Sequence, residues 1–121
     1  MPRRILVVDD SPANRAVLKA MLMKMGVADI ELAEDGNDAL EKLQKAPSID
    51  LVLSDIWMPV IDGVELASRI RADARLARLK ICAITADVEA RKGFKEQGFD
   101  ALLLKPVTFE KIQDLFKLVL G

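Results

Sequence analysis

Leu51-Val52-Leu53-Ser54-Asp55-Ile56-Trp57-Met58-Pro59 is an apolar run that ends abruptly in a carboxylate, followed two residues later by the only Trp of the chain. A short buried strand over 50–54 is expected to deliver Asp55 to the edge of a sheet, where the backbone turns into a loop. Met58-Pro59 and Asp62-Gly63 supply the turn chemistry for that loop. An Asp after a strand ordinarily caps a helix or forms a turn. Its meaning here depends on what the rest of the chain brings to the same edge.

Working outward, the same alternation recurs on both sides. Arg3-Arg4-Ile5-Leu6-Val7-Val8 reads as a buried strand over 3–8, because four apolar residues in a row are bounded by charges. Asp9-Asp10-Ser11-Pro12 breaks it and starts a helix, with Asp10 or Ser11 at the N-cap. Leu18, Met21, Leu22 and Met25 then form one buried stripe, and Gly26 stops it. Ile30 to Ala33 is a weaker strand with interleaved polar residues, placed at a sheet edge. Asp35-Gly36-Asn37 turns into a helix with Ala39, Leu40 and Leu43 inward, and Pro47 and Ser48 end that unit. Beyond the 55–62 loop, Leu66, Ala67 and Ile70 mark a helix from Gly63 to Ala72. Lys80 to Ile84 is a fourth strand ending at Thr85, followed by a less regular helix over 88–97 that stops at Gly98. Asp100 to Leu104 is a last strand ending at Lys105-Pro106, and Phe109, Ile112, Leu115, Phe116 and Val119 define a final amphipathic helix. Strand and helix alternate five times, which implies βαβ units and a parallel sheet covered on both faces, with right-handed crossovers.

Bulk properties narrow the chemistry. The 121 residues fit one domain over 1–121, with 51% hydrophobic and 31% charged residues and a formal net charge of −1. That balance exerts no bulk pull toward nucleic acid or anionic membrane. No apolar stretch approaches bilayer-spanning length, and Met1-Pro2-Arg3-Arg4 leads into a strand rather than a signal-peptide core. Cys82 is the only cysteine and there is no histidine, so serine–histidine and cysteine–histidine catalysis and cysteine zinc clusters are excluded. A reducing, cytoplasmic setting is expected. What remains for chemistry is carboxylates, Lys, Thr and backbone groups. Arg69, Arg71, Arg75, Arg78 and Lys80 lack interleaved aromatics and read as a solvated face, not a nucleic-acid patch.

In a doubly wound sheet, ligands bind outside the carboxyl ends of the strands, where strand order reverses. Asp9 and Asp10 follow the first strand, Asp55 the third, Thr85 the fourth and Lys105 the fifth. Singly, each has a plain structural role as a cap or a solvated turn residue. Together they converge on one edge. Three carboxylates in one crevice favour proton uptake or a bound cation. With oxygen ligands only, Mg²⁺ is the expected ion. An Asp carboxylate can attack phosphorus to give an aspartyl phosphate, with cationic and hydrogen-bonding help for the transferring oxygens.

Val8-Asp9-Asp10, Asp55-Ile56-Trp57-Met58-Pro59 with Asp62-Gly63, Thr85-Ala86 and Lys105-Pro106 together resemble the receiver domain of two-component response regulators, over essentially the whole chain. The resemblance implies an α/β, flavodoxin-like, doubly wound five-stranded parallel sheet of order 2-1-3-4-5. It implies Asp55 as phosphoacceptor and Asp10 as a direct Mg²⁺ ligand. Asp9 would hold the metal largely through water, and the Trp57 backbone carbonyl would be a further ligand. Lys105 would pair with the phosphoryl group, Thr85 would move to hydrogen-bond it, and the Ala86 backbone N–H would add a donor. The phosphoryl group would come from a phosphohistidine on a histidine kinase or a histidine phosphotransfer protein. The module would switch conformation to control a downstream partner or domain, either standing alone or as part of a response regulator or hybrid kinase. The Asp9-Asp10-Ser11-Pro12-Ala13-Asn14-Arg15 run is similar to receivers of hybrid histidine kinases.

Many receivers carry Tyr or Phe three residues before the Lys, where this chain has Leu102. Thr85 therefore has no ring to move with, and relay through the 85–90 loop and the helix after it is expected. Trp57 stands beside the phosphoryl site, where its bulk is expected to hinder the hydrolytic water. A homodimer face is expected on the 88–97 helix, the last strand and the last helix. The competing reading, a small Mg²⁺-dependent phosphatase, needs a general acid two residues after the nucleophile, and Trp57 occupies that position. A receiver serving only as a binding scaffold conflicts with the complete set Asp9, Asp10, Asp55 and Lys105.

Overall fold

The structure is a computed structural model and describes residues 3–45 and 48–120. Five strands form one parallel sheet in the order β2-β1-β3-β4-β5: β1 is Arg4–Val8, β2 Asp29–Ala33, β3 Leu51–Asp55, β4 Lys80–Thr85 and β5 Ala101–Leu104. Four α-helices follow in chain order: α1 Pro12–Lys24, α2 Gly36–Lys45, α3 Gly63–Ala72 and α4 Phe109–Val119. The weak, polar-interleaved strand at Asp29–Ala33 lies at a sheet edge, as its pattern predicts.

Alternation along the strands divides the core into two layers. Leu6, Val8, Val52, Ile81 and Ala83 face α2 and α3, packing on Ala39, Leu43, Leu66, Ala67 and Ile70. Ile5, Val7, Leu51, Leu53, Cys82 and Ile84 face the other way, onto Leu18 and Leu22 of α1 and Ile112 and Leu115 of α4. Every residue of β3 is buried, as expected of a central strand covered on both faces.

Local chemistry sets the helix ends. Ser11, not Asp10, caps α1, its hydroxyl accepting from the Asn14 N–H at 3.3 Å, while Pro12 occupies the first turn. Gly26 lies just past the end of α1 at φ +89, the left-handed conformation glycine adopts without penalty. Asp62 caps α3 through the Glu65 N–H at 2.8 Å.

The expected helix over 88–97 is not an α-helix. A 3₁₀ turn covers Val88–Lys92, capped by Asp87 and not by Thr85, and turns continue to Gly98 at φ +101. Only Ala90 and Phe94 of this stretch pack against the core. Gly93 interrupts it, so no apolar stripe supports an α-helix. Phe109 is exposed at the start of α4, whose buried residues are Ile112 and Leu115. Strand limits also shift by a residue: Asp55 and Thr85 end their strands instead of following them, and β5 starts at Ala101. Pro47 lies outside the described residues. No helix is long and apolar enough to cross a membrane, among the described residues.

Candidate functional site: an acid cluster at the switch point of the sheet

β1 lies between β2 and β3, so the winding reverses there and a crevice opens at the carboxyl ends of β1 and β3. Val8 pairs with Ser54, so the next residues, Asp9 and Asp55, emerge side by side. One carboxylate oxygen from each of Asp9, Asp10 and Asp55 lies within 4.8 Å of the others. Asp9 and Asp55 are buried and Asp10 is exposed, so the cluster opens to solvent on the Asp10 side.

Each buried carboxylate is held at defined points. Asp9 Oδ1 accepts from the Ser11 N–H at 2.8 Å. Asp55 Oδ1 accepts from the Trp57 N–H at 3.3 Å, and Asp55 Oδ2 accepts from Lys105 Nζ at 3.3 Å. Burial pushes the Asp9 carboxyl above its usual value, the Ser11 N–H pulls it down, and the Asp55 charge pushes it up again. Two like charges at this range repel by roughly 3 kcal/mol at an effective dielectric of about 20. Three such pairs meet one lysine, leaving the cluster short of positive charge. An all-oxygen donor set with that deficit suits a hard divalent cation.

Thr85 closes the β4 side. It sits one step beyond Ile84, which pairs with Asp55, and its hydroxyl accepts from the Asp87 N–H at 3.1 Å. Thr85 itself is buried, with exposed Ala86 next in the chain. Lys105 is set by β5: its N–H donates to the Thr85 carbonyl at 2.8 Å, and the Lys105–Pro106 peptide bond is cis. The structure thus brings Asp9, Asp10, Asp55 and Lys105 together and holds the Thr85 hydroxyl on its own loop. Trp57 contributes its N–H to Asp55, while the residue as a whole is 67% exposed.

Two contacts on Asp9 were not anticipated from the sequence. The Ser11 N–H on Asp9 follows from the Asp-x-Ser turn and is readable as a local motif. The Arg15 guanidinium, donating to the Asp9 carbonyl at 2.6 Å, reaches back across the loop from α1 and has no local signature.

The family model described as the response regulator receiver domain matches residues 5–117. The chain belongs to the receiver domain family. Sensor histidine kinase RcsC of Escherichia coli (strain K12) is 41% identical over 116 residues, which are 94% of this chain and 12% of that kinase. The chain therefore spans a small part of the length of the curated relatives it matches. Among solved structures, response regulator TrrA from Thermotoga maritima, in complex with Mg(2+)-BeF, is 36% identical with a TM-score of 0.84, covering 95% of this chain and 96% of that one. The receiver domain of sensor histidine kinase PA1611 from Pseudomonas aeruginosa PAO1, with a magnesium ion coordinated in its active site cleft, is 29% identical with a TM-score of 0.88, covering 100% of both chains. As a receiver domain, this chain is a phosphorelay signalling module.

Proposed function

We propose that residues 1–121 act as one receiver unit that takes a phosphoryl group from a partner phosphohistidine onto Asp55. The observation that carries this reading is the pairing of a three-carboxylate cluster with Lys105 on Asp55 Oδ2. An Asp55 oxygen attacks phosphorus, the P–N bond to the donor imidazole breaks, and its electron pair stays on the imidazole, which takes a proton from solvent. The product is an acyl phosphate on Asp55.

Asp9, Asp10 and Asp55, with the Trp57 backbone carbonyl, would hold Mg²⁺, which supplies neutralising charge to the phosphoryl oxygens. Lys105 stabilises the negative charge gathering there. The Thr85 hydroxyl leaves the Asp87 N–H to donate to the phosphoryl group, assisted by the Ala86 N–H. That exchange couples the site to the 3₁₀ turn, because Asp87 caps it. Leu102 lies partly buried against this core layer, with no ring for Thr85 to move against. The indole of Trp57 shields the acyl phosphate from hydrolytic water. It carries no transferable acid, so turnover on small phosphate esters is not expected.

The donor is a histidine kinase or phosphotransfer protein in the cytoplasm, and the covalent setting of the module is a response regulator or hybrid kinase, or the chain alone. A second copy is expected on the groove of about 740 Å³ that includes Phe94, Leu102 and Leu118, with Arg91, Lys95, Lys111, Asp100 and Asp114 also lining it. The test is intact mass after incubation with MgCl₂ and a small phosphodonor, for wild type and Asp55→Asn. A phosphoryl adduct on wild type alone supports the reading. No adduct, or an equal one on the variant, ends it.

A further inference from the structure

We propose that Arg15 is a positioning residue for the acid cluster: by clamping the Asp9 carbonyl it fixes the Asp9–Asp10 peptide so that Asp10 stays in the cluster. This inference rests on the proposed Mg²⁺ site. Asp9 is tied at three points as the chain leaves β1. Its N–H donates to the Ala33 carbonyl at 3.1 Å, its Oδ1 accepts from Ser11, and its carbonyl accepts from Arg15 Nη1 at 2.6 Å. The carbonyl belongs to the planar unit that also contains the Asp10 nitrogen and Cα. Fixing that oxygen therefore fixes where Asp10 starts.

Asp10 needs such an anchor because its side chain has no tether of its own, and the Ser11 N–H on Asp9 Oδ1 holds only the peptide after Asp10. Among the described residues its carboxylate accepts no hydrogen bond and makes no ion pair, yet one of its oxygens lies within 4.8 Å of Asp9 and Asp55 oxygens. It repels both neighbours, so a free loop would swing it into water. Arg15 is well placed to oppose this. It sits in the first turn of α1, its own N–H bonded to the Ser11 carbonyl at 3.0 Å, so the arm projects from a rigid base. Among the described residues its guanidinium forms no ion pair with a carboxylate, leaving it directed at a backbone oxygen. Arg15 thus acts on the metal ligands through geometry and touches neither the ion nor the phosphoryl group.

The experiment is a MgCl₂ titration of wild type, Arg15→Ala, Arg15→Lys and Asp10→Asn, read by Trp57 fluorescence and by the Mg²⁺-dependent rise in Tm. Arg15→Ala is expected to weaken Mg²⁺ binding by about tenfold or more, the range for losing a residue that orients a metal ligand. At saturating Mg²⁺ it should recover the wild-type rate of phosphorylation, which a general loss of structure would not allow. Arg15→Lys keeps the charge on a shorter arm and should fall between the two; it serves as the test if Arg15→Ala does not fold. Wild-type Mg²⁺ affinity in the Arg15 variants overturns the assignment, as does a rate that saturating Mg²⁺ fails to restore. If wild type itself binds no Mg²⁺ and matches Asp10→Asn, the proposed function falls and this inference with it.

Discussion

Lys105 Nζ stands 3.3 Å from Asp55 Oδ2, an ammonium from the end of β5 on a carboxylate at the end of β3. The Asp55 side chain is 8% exposed and that of Lys105 33%, so the pair is shielded on the acid side and open on the lysine side. On the proposed reading, Lys105 leaves the carboxylate to follow the incoming phosphoryl oxygens, a move its exposed side leaves open. Lys105→Met is expected to slow Asp55 phosphorylation by roughly a hundredfold, the usual effect of removing one preorganised donor. The initial rate of adduct formation measures this, and a wild-type rate in the variant would refute the role.

The Asp9 carboxyl is held above its usual range, first by burial and then by its acidic neighbours, after allowing for the Ser11 N–H that opposes them. Its ionised form is thus a burden on the metal-free fold. Asp9→Asn keeps an oxygen for the Ser11 N–H and removes the charge. Without Mg²⁺ the variant should melt higher than wild type by a few degrees, about 1 kcal/mol for a domain of this size. The Mg²⁺-dependent rise in Tm should shrink strongly. Melting in chelator and in excess MgCl₂ reads both effects.

Gly63 is where α3 meets the backbone of the proposed nucleophile. A Cβ there would come within 2.5 Å of the Asp55 carbonyl oxygen and 2.8 Å of Ile56 Cα. Neither atom can move without moving the strand end. Gly63→Ala should cost about 1–3 kcal/mol, as overpacking does in a closed core. Chemical denaturation measures the loss; unchanged stability would show that the approach of α3 to Asp55 is looser than described.

Val60 is strained without an evident packing return. It lies at φ +68, with the Ile61 N–H bonded to the Pro59 carbonyl at 2.9 Å in a γ-turn around it, and the residue is 91% exposed. A β-branched residue is poorly suited to that backbone. Val60→Gly should stabilise the protein by roughly 1 kcal/mol, because Gly adopts positive φ without a Cβ clash. A Tm at or below that of wild type would contradict this.

Much of the fold was legible because alternating strand and helix periods leave few arrangements. The all-apolar Ile5 to Val8 and Leu51 to Leu53 predict central strands, and both are central. Convergence of Asp9, Asp10, Asp55 and Lys105 follows once the sheet is parallel, since each ends or follows a strand. The stretch after Asp87 was not legible as a 3₁₀ turn: its helix-forming residues suggest an α-helix, but Gly93 and the sparse apolar contacts undercut it. Phe109 carried the same trap, because an aromatic that extends a stripe in sequence lies outside the buried face at the first turn of α4. Arg15 was invisible for a different reason: a long side chain bonding a backbone oxygen leaves no pattern in residue types.

The most direct test of the central claim is to locate the phosphoryl group. Wild type phosphorylated in MgCl₂ by a small phosphodonor is reduced with borohydride, which converts an aspartyl phosphate to homoserine, and its peptides are mapped by mass. Conversion at Asp55, and at no other carboxylate, is the predicted result. Conversion at Asp9 or Asp10, or none under conditions where Mg²⁺ binds, would contradict the account.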